Sequence, residues 1–202
     1  MNIKIISNLA LAGLIVTGSI AQVQKFTVGN AGGMKVSQVF TFDNDAEFEN
    51  FTGQTHKVSG SINFDPAHAR GSGRIAVDLS SIDTGIALRN EHLRGGMWLN
   101  TDKFPEAVFE TTSVKHGTGA KYLVAGKLTL HGITRAISAD ATVRYVKESD
   151  ATRRAMFMGN VVNVKTSFKV DLADYGIMIP DMVKGKVANT ITVHLNVFGY
   201  TG

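Results

Sequence analysis

Residues Arg135–Tyr145 read RAISADATVRY, and their alternation decides the fold. Ile137, Ala139, Ala141, Val143 and Tyr145 fall on one side of an extended chain, with Ser138, Asp140, Thr142 and Arg144 on the other. Successive side chains of a strand point to opposite faces, so this is a strand with one apolar face. The same period of two recurs in both directions. Upstream, Lys121–His131 groups Tyr122, Val124, Leu128 and Leu130, Ala107–Val114 aligns Phe109 with Thr111, and Gly73–Asp83 aligns Ile75, Val77 and Leu79. Earlier still, Val58–Asp65 carries Ile62 and Phe64, and Lys35–Asp43 carries Phe40 and Phe42. Downstream, Phe157–Leu172, which includes Phe168, and Thr190–Phe198 complete eight predicted strands.

His131-Gly132 and Gly117–Ala120 have the composition of tight hairpin turns, so neighbouring strands pair antiparallel. The chain is therefore all-β, and closing eight such strands into a barrel removes the exposed edges that invite aggregation. At this strand number the interior is either filled by side chains or wide enough for one small ligand. Gly126, Ala139, Ala141 and Gly159 lie on or near the apolar face, where small residues leave volume open. Both a filled core and a ligand-sized interior fit this pattern.

One segment breaks the strand pattern. Between the third and fourth strands, Ile86–Trp98 has helical spacing, with Leu88, Leu93 and Met97 on one stripe, and a short piece around Ala173–Ile177 repeats it. Asp83 or Thr84 is the expected helix cap and Gly95-Gly96 the stop. Such a helix is expected to lie across one mouth, its apolar side inward and Arg89, Asn90 and Arg94 in water. His92 could serve as a base with Glu91 beside it, but adjacent helical residues do not face each other. The structural alternative is that His92 and Arg89 hydrogen-bond strand ends and pin the helix.

Lys4 followed by an apolar run from Ile5 to Val16 and by Ser19-Ile20-Ala21 reads as a secretory leader over residues 1–21. That run is too short for a membrane span, which needs about 20 residues. About 180 residues remain, 22–202, enough for one domain with its own core. The chain has no cysteine, so thiolate catalysis, cysteine metal sites and disulfides are excluded. Its six histidines never form the close pairs of zinc motifs, and no metal or cofactor is expected. The formal charge of +4 is spread among acids rather than gathered in a run, which speaks against nucleic-acid binding. Gly29–Gly33 and Gly71–Gly73 are turns, since neither opens a helix after a buried parallel strand.

Three stretches resemble the YceI family of exported lipocalin-like proteins: GSINFDP (Gly60–Pro66), VDLSSIDTGIALRNEHLRGGMWLNTDKFPEAVFETT (Val77–Thr112) and GKLTLHGITRAISADATV (Gly126–Val143). The resemblance runs from Val36 to Phe198. It implies an extended eight-stranded antiparallel lipocalin-like barrel whose apolar interior holds a long lipid, a polyisoprenoid or the tail of an isoprenoid quinone. It further implies a periplasmic or secreted location, no enzymatic activity, transient membrane contact and, by analogy, a homodimer. The family's helix after the third strand corresponds to Ile86–Gly96, which makes Leu88, His92, Leu93 and Met97 candidate ligand-side or gate residues, joined by Phe104. Phe40, Phe42, Phe64, Leu79, Phe109, Leu128 and Phe168 on strand faces, with Trp98 and Tyr175 in connecting segments, complete the expected lining. The chain departs from the family at NAGGMKVSQVFTFDNDAEFENFTG (Asn30–Gly53), which replaces an early His-Ser pattern, and at Asn90, where aspartate is common. The expected function is sequestration or transport of that lipid. The rival from another class is an extracytoplasmic protein-interaction module with a filled barrel, and a third is a hydrolase acting through His92.

Overall fold

The computed structural model describes residues 22–29, 38–154, 156–157 and 159–201. The expected leader and the beginning of the expected first strand, Lys35 to Ser37, lie outside the described residues. Ten strand segments form one antiparallel sheet: β1 (Gln24–Val28), β2 (Val39–Asp45), β3 (Asn50–Thr55), β4 (Val58–Asp65), β5 (Arg70–Asp78), β6 (Glu106–His116), β7 (Lys121–Leu130), β8 (Ile133–Val146), β9 (Val161–Asp171) and β10 (Thr190–Tyr200).

These ten segments make eight barrel strands. Along β10, Tyr200 and Gly199 pair with Thr27 and Val28 of β1, and Asn196 through Thr192 pair with Val39 through Asp43 of β2. β1 and β2 are thus collinear halves of one strand, interrupted at 29–38. β3 and β4 are likewise halves of the next, interrupted at His56-Lys57: β3 pairs with β2, and β4 pairs with β1. The remaining strands follow as a meander, and β1 bonded to both β4 and β10 closes the ring. Sequence patterning missed β1 and β3 because QKFTV and NFTGQT are short and mostly polar.

A side chain mends the first interruption. Gln38 is buried; its Nε2 donates to the Phe198 carbonyl at 3.2 Å, and its Oε1 accepts from the Phe198 N–H at 2.8 Å. The primary amide copies a peptide group, so the β10 backbone stays paired between its partners β1 and β2. The His56 Nδ1 lies 2.7 Å from the Gln38 carbonyl oxygen, which ties the two interruptions together.

Inward positions alternate along each strand as expected. In β6 the register shifts between Thr111 and Ser113, a bulge that moves the inward set from Phe109 and Thr111 to Val114. One end of the barrel is a floor of aromatic rings: Phe26 is 0% exposed, Phe64 meets Tyr122 at 6.1 Å between centroids, and Phe26 meets Tyr145 edge-on at 6.3 Å. Four connections crowd the opposite end: 46–49, 79–105, 131–132 and 172–189. The second holds a helix, α1 (Ala87–Arg94), between the third and fourth barrel strands as expected. The expected helical piece near Ala173 is a 3-10 turn over Leu172–Tyr175. A short helix, α2 (Asp150–Arg154), was not legible in the pattern, and β9 begins only at Val161, with half-buried Phe157 stacked on Tyr200 at 5.9 Å between centroids.

Candidate functional site

Because side chains alternate, each strand marks depth in steps of two residues. Near the crowded end, Leu130, Val170, Ile191 and Phe42 line an apolar space of about 880 Å3. One step deeper, Phe40, Ala107, Leu128, Phe168 and Val193 form a ring at a common level. Below it a second space of about 150 Å3 continues between Val124, Ala139, Ala141, Val164, Thr166 and Leu195. The interior is therefore hollow, which decides between the two interiors that the strand pattern allowed. The reason lies in the wall: Gly71, Gly73, Ala139 and Ala141 occupy inward positions that larger residues would fill.

The upper space opens where its lining is exposed. Ile86, Leu88, Met97 and Met182 line it and remain 49%, 60%, 65% and 84% exposed. Leu88 and Met97 were expected to point inward, but α1 lies at the rim rather than across the bore, so they form its apolar lip. Leu93 and Trp98 are half-buried on the inner side.

The anchoring of α1 also differs from expectation. Its N-cap is Ile86, with no side-chain cap, so neither Asp83 nor Thr84 caps it. Instead Asn90, buried and not wet, reaches back: its Oδ1 accepts from Thr84 N at 2.8 Å and Thr84 Oγ1 at 2.7 Å, and its Nδ2 donates to Asp83 Oδ1 at 2.7 Å. That donation, helped by the Gly85 N–H, holds the Asp83 carboxyl below the usual carboxylate range. Arg89 donates to Glu49 Oε1 at 2.5 Å and stacks 4.1 Å over the Phe51 ring, joining α1 to the β2–β3 turn. Arg94 Nε donates to the Ser80 carbonyl at 2.7 Å. Pinning thus falls to Arg89, Asn90 and Arg94. His92 is exposed at the rim, its side chain has no hydrogen bond among the described residues, and no base-and-partner pair forms there.

Of the expected lining residues, Phe42, Leu79, Leu88, His92, Leu93, Met97 and Trp98 border the upper space, Phe64 and Phe109 the lower, and Phe40, Leu128 and Phe168 both. Phe104 and Tyr175 border neither. Phe104 packs over Gly132 and meets the His131 ring at 4.8 Å, while Tyr175 is 3% exposed and its carbonyl oxygen lies 3.1 Å from His131 Nδ1. Both brace the β7–β8 turn instead. Sequence reasoning missed the contribution of the 172–189 connection: Ile177, Pro180, Met182 and Val183 form one wall of the mouth. The signal was present in IMIPDMV, an apolar run inside a loop. Buried Asn44 secures that wall, donating to the carbonyls of Glu49 and Lys186 and accepting from Ala188 N. Among the described residues no group of three or more histidines and carboxylates is placed to hold a metal ion.

A YceI-like domain model matches residues 28–198, the whole barrel apart from most of β1 and the last two residues of β10. The chain belongs to the YceI family. Among bacterial relatives, a UPF0312 protein of Yersinia pestis is 39% identical over 90 residues, and one of Photorhabdus laumondii is 41% identical over 83. These alignments cover 44% and 41% of this chain and 46% and 43% of the relatives, so the chain matches less than half of their length. Solved YceI structures share the fold at low identity. BcnA of Burkholderia cenocepacia superposes with a TM-score of 0.67 at 22% identity, over 80% of this chain and 95% of that one. The Campylobacter jejuni YceI protein gives 0.65 at 19%, over 86% and 94%. A polyisoprenoid-binding domain from Saccharophagus degradans, implicated in plant cell wall breakdown, gives 0.64 at 17%, over 90% and 100%. In this YceI barrel the Asn90 amide both accepts from Thr84 and donates to Asp83, which an ionised carboxylate at that place could not do.

Proposed function

We propose that this protein binds one long apolar lipid, a polyisoprenoid or the tail of an isoprenoid quinone, and carries it outside the cytoplasm between membranes. The observation that carries this reading is the hollow apolar bore open at a lipped mouth. Burial supplies the affinity: each methylene removed from water contributes about 0.8 kcal/mol, so several isoprene units outweigh the cost of immobilising the chain without any charged contact. The polyisoprenoid-binding domain of Saccharophagus degradans, built on the same fold, supports that ligand class. The apolar sequence at residues 1–21 supports export. The exposed lip of Ile86, Leu88, Met97 and Met182 is the surface that meets a bilayer during uptake and release. The reading is one of binding, and the hydrolase alternative through His92 gains no support, since no described side chain is positioned to partner that ring.

The test is native mass spectrometry and organic extraction of the protein purified from its own host. An isoprenoid in stoichiometric amount is expected. A ligand-free protein from membrane-rich cells that also takes up no prenyl alcohol in solution ends the carrier reading.

A further inference from the structure

The carrier reading leaves open what part of a ligand the deep space holds. Register shows that the two spaces are stacked along the barrel axis, not side by side. Along β9, Val170 lines only the upper one, Phe168 both, and Thr166 and Val164 only the lower. β10 repeats the order with Ile191, Val193, then Leu195 and Val197, and β7 with Leu130, Leu128, then Val124 and Tyr122. The rings of Phe40 and Phe168 with Leu128 therefore form a waist that anything reaching the floor from the mouth must pass.

The two spaces differ in scale and in the residues that bound them. The upper one, about 880 Å3, has polar groups at its rim: the Arg89–Glu49 pair, His92 and Lys186. The lower one, about 150 Å3, has walls of Val, Leu, Ile, Ala, Gly, Ser and Thr with Phe109, and ends on the ring cluster of Phe26, Phe64 and Tyr122. Burial pushes the Tyr122 phenol above its ordinary range, as expected of a hydroxyl in dry surroundings. An apolar cavity of roughly 150 Å3 stays dry and accepts about six carbons. Glycine and alanine at 71, 73, 139 and 141 keep this space open, although larger residues there would pack a tighter floor.

Resting on the carrier reading, we propose that the lower chamber is a chain-length gauge. It seats the terminal branched unit of a linear isoprenoid whose head stays at the mouth, and the aromatic floor sets the longest chain that gains affinity. A chain that stops above the waist leaves the chamber empty. One that crosses it buries one more unit, and further units must back up into the wider space or out of the mouth.

The experiment measures affinities of full-length protein, first stripped of lipid, for a series of prenyl alcohols from geraniol through farnesol and geranylgeraniol to longer homologues. Displacement of a fluorescent apolar probe gives the readout. For the natural chain each added unit tightens binding at least tenfold until the floor is reached, and longer alcohols gain nothing more. Ala139→Leu and Ala141→Leu, each adding a branched side chain at the chamber wall, weaken binding of the long alcohols far more than of the short ones and bring the plateau in about one unit earlier. Two independent sites guard against one variant failing to fold. If natural and filled proteins bind the series alike, with the plateau at the same length, the gauge is wrong and the carrier reading stands. If no prenyl alcohol binds the natural protein, the carrier reading itself falls.

Discussion

At the scale of single residues, polar side chains complete a backbone that its own strands leave incomplete. Gln38 serves both the N–H and the carbonyl of Phe198 at the gap between β1 and β2. Gln38→Ala leaves that buried peptide group unpaired and lowers stability by about 1–3 kcal/mol, read as a shift in the urea midpoint at unchanged slope. An unmoved midpoint would mean that another group serves Phe198. Tyr200 presents the opposite case, since its hydroxyl is buried and has no partner among the described residues. Burial pushes its pKa up to about 12. An unfolded tyrosine ionises near 10, so the folded state resists losing this proton; stability from this group is intact below pH 10 and drains away as pH rises toward 12. Tyr200→Phe removes an unsatisfied hydroxyl, raises stability by about 1 kcal/mol and flattens that alkaline decline. A mutant as alkali-sensitive as the natural protein would refute this. Neither residue announced itself in the sequence, because its role depends on a strand more than a hundred positions away or on a covering loop.

At the scale of elements, α1 was legible in position and end but not in attachment. Its helical spacing and the Gly95 stop are local signals, and Gly95 N–H does close the helix on the Glu91 and His92 carbonyls. Its orientation is set by Arg89 on Glu49 and Asn90 on Asp83, contacts that no spacing rule contains. Asn90→Asp replaces the donated hydrogen bond with two facing carboxylates and loosens the segment at neutral pH. Repulsion raises the pKa of the pair, so the penalty is present above the carboxylate range and is relieved as pH falls through it, near 4. Thermal midpoints of mutant and natural protein should therefore differ at pH 7 and converge on acidification; parallel curves would show that the Asp83 contact does not hold α1. Phe104 and Tyr175 illustrate the converse: aromatic, and close in sequence to lining residues, they lie elsewhere, Phe104 over the β7–β8 turn where Gly132 leaves room for its ring and Tyr175 in the packed core with its carbonyl on His131.

At the scale of the molecule, closure and vacancy go together. Eight strands make a wall wide enough for a bore, and the small residues of β5 and β8 keep its lower part from filling. An empty apolar bore forgoes contacts that a packed core would make, so a bound lipid stabilises the protein by mass action. At a hundredfold excess over Kd that amounts to about 2.7 kcal/mol. For a chain of this size it raises the melting midpoint by about 5–10 °C. Protein loaded with a long prenyl alcohol is expected to melt that much higher than stripped protein in calorimetry, and identical midpoints would indicate that the bore takes up no ligand.

The amino-acid sequence by itself determined the strand pattern, the inward face of nearly every strand and the place of the single mouth helix. Those properties come from periods of two and 3.6 residues and from turn chemistry, all of which act over a few neighbouring positions. Only the tertiary structure decided that the barrel is hollow, that a waist divides it, and which loops make its lip. A void is the difference between the girth of a closed wall and the summed volume of side chains drawn from every strand, and no local stretch carries that difference.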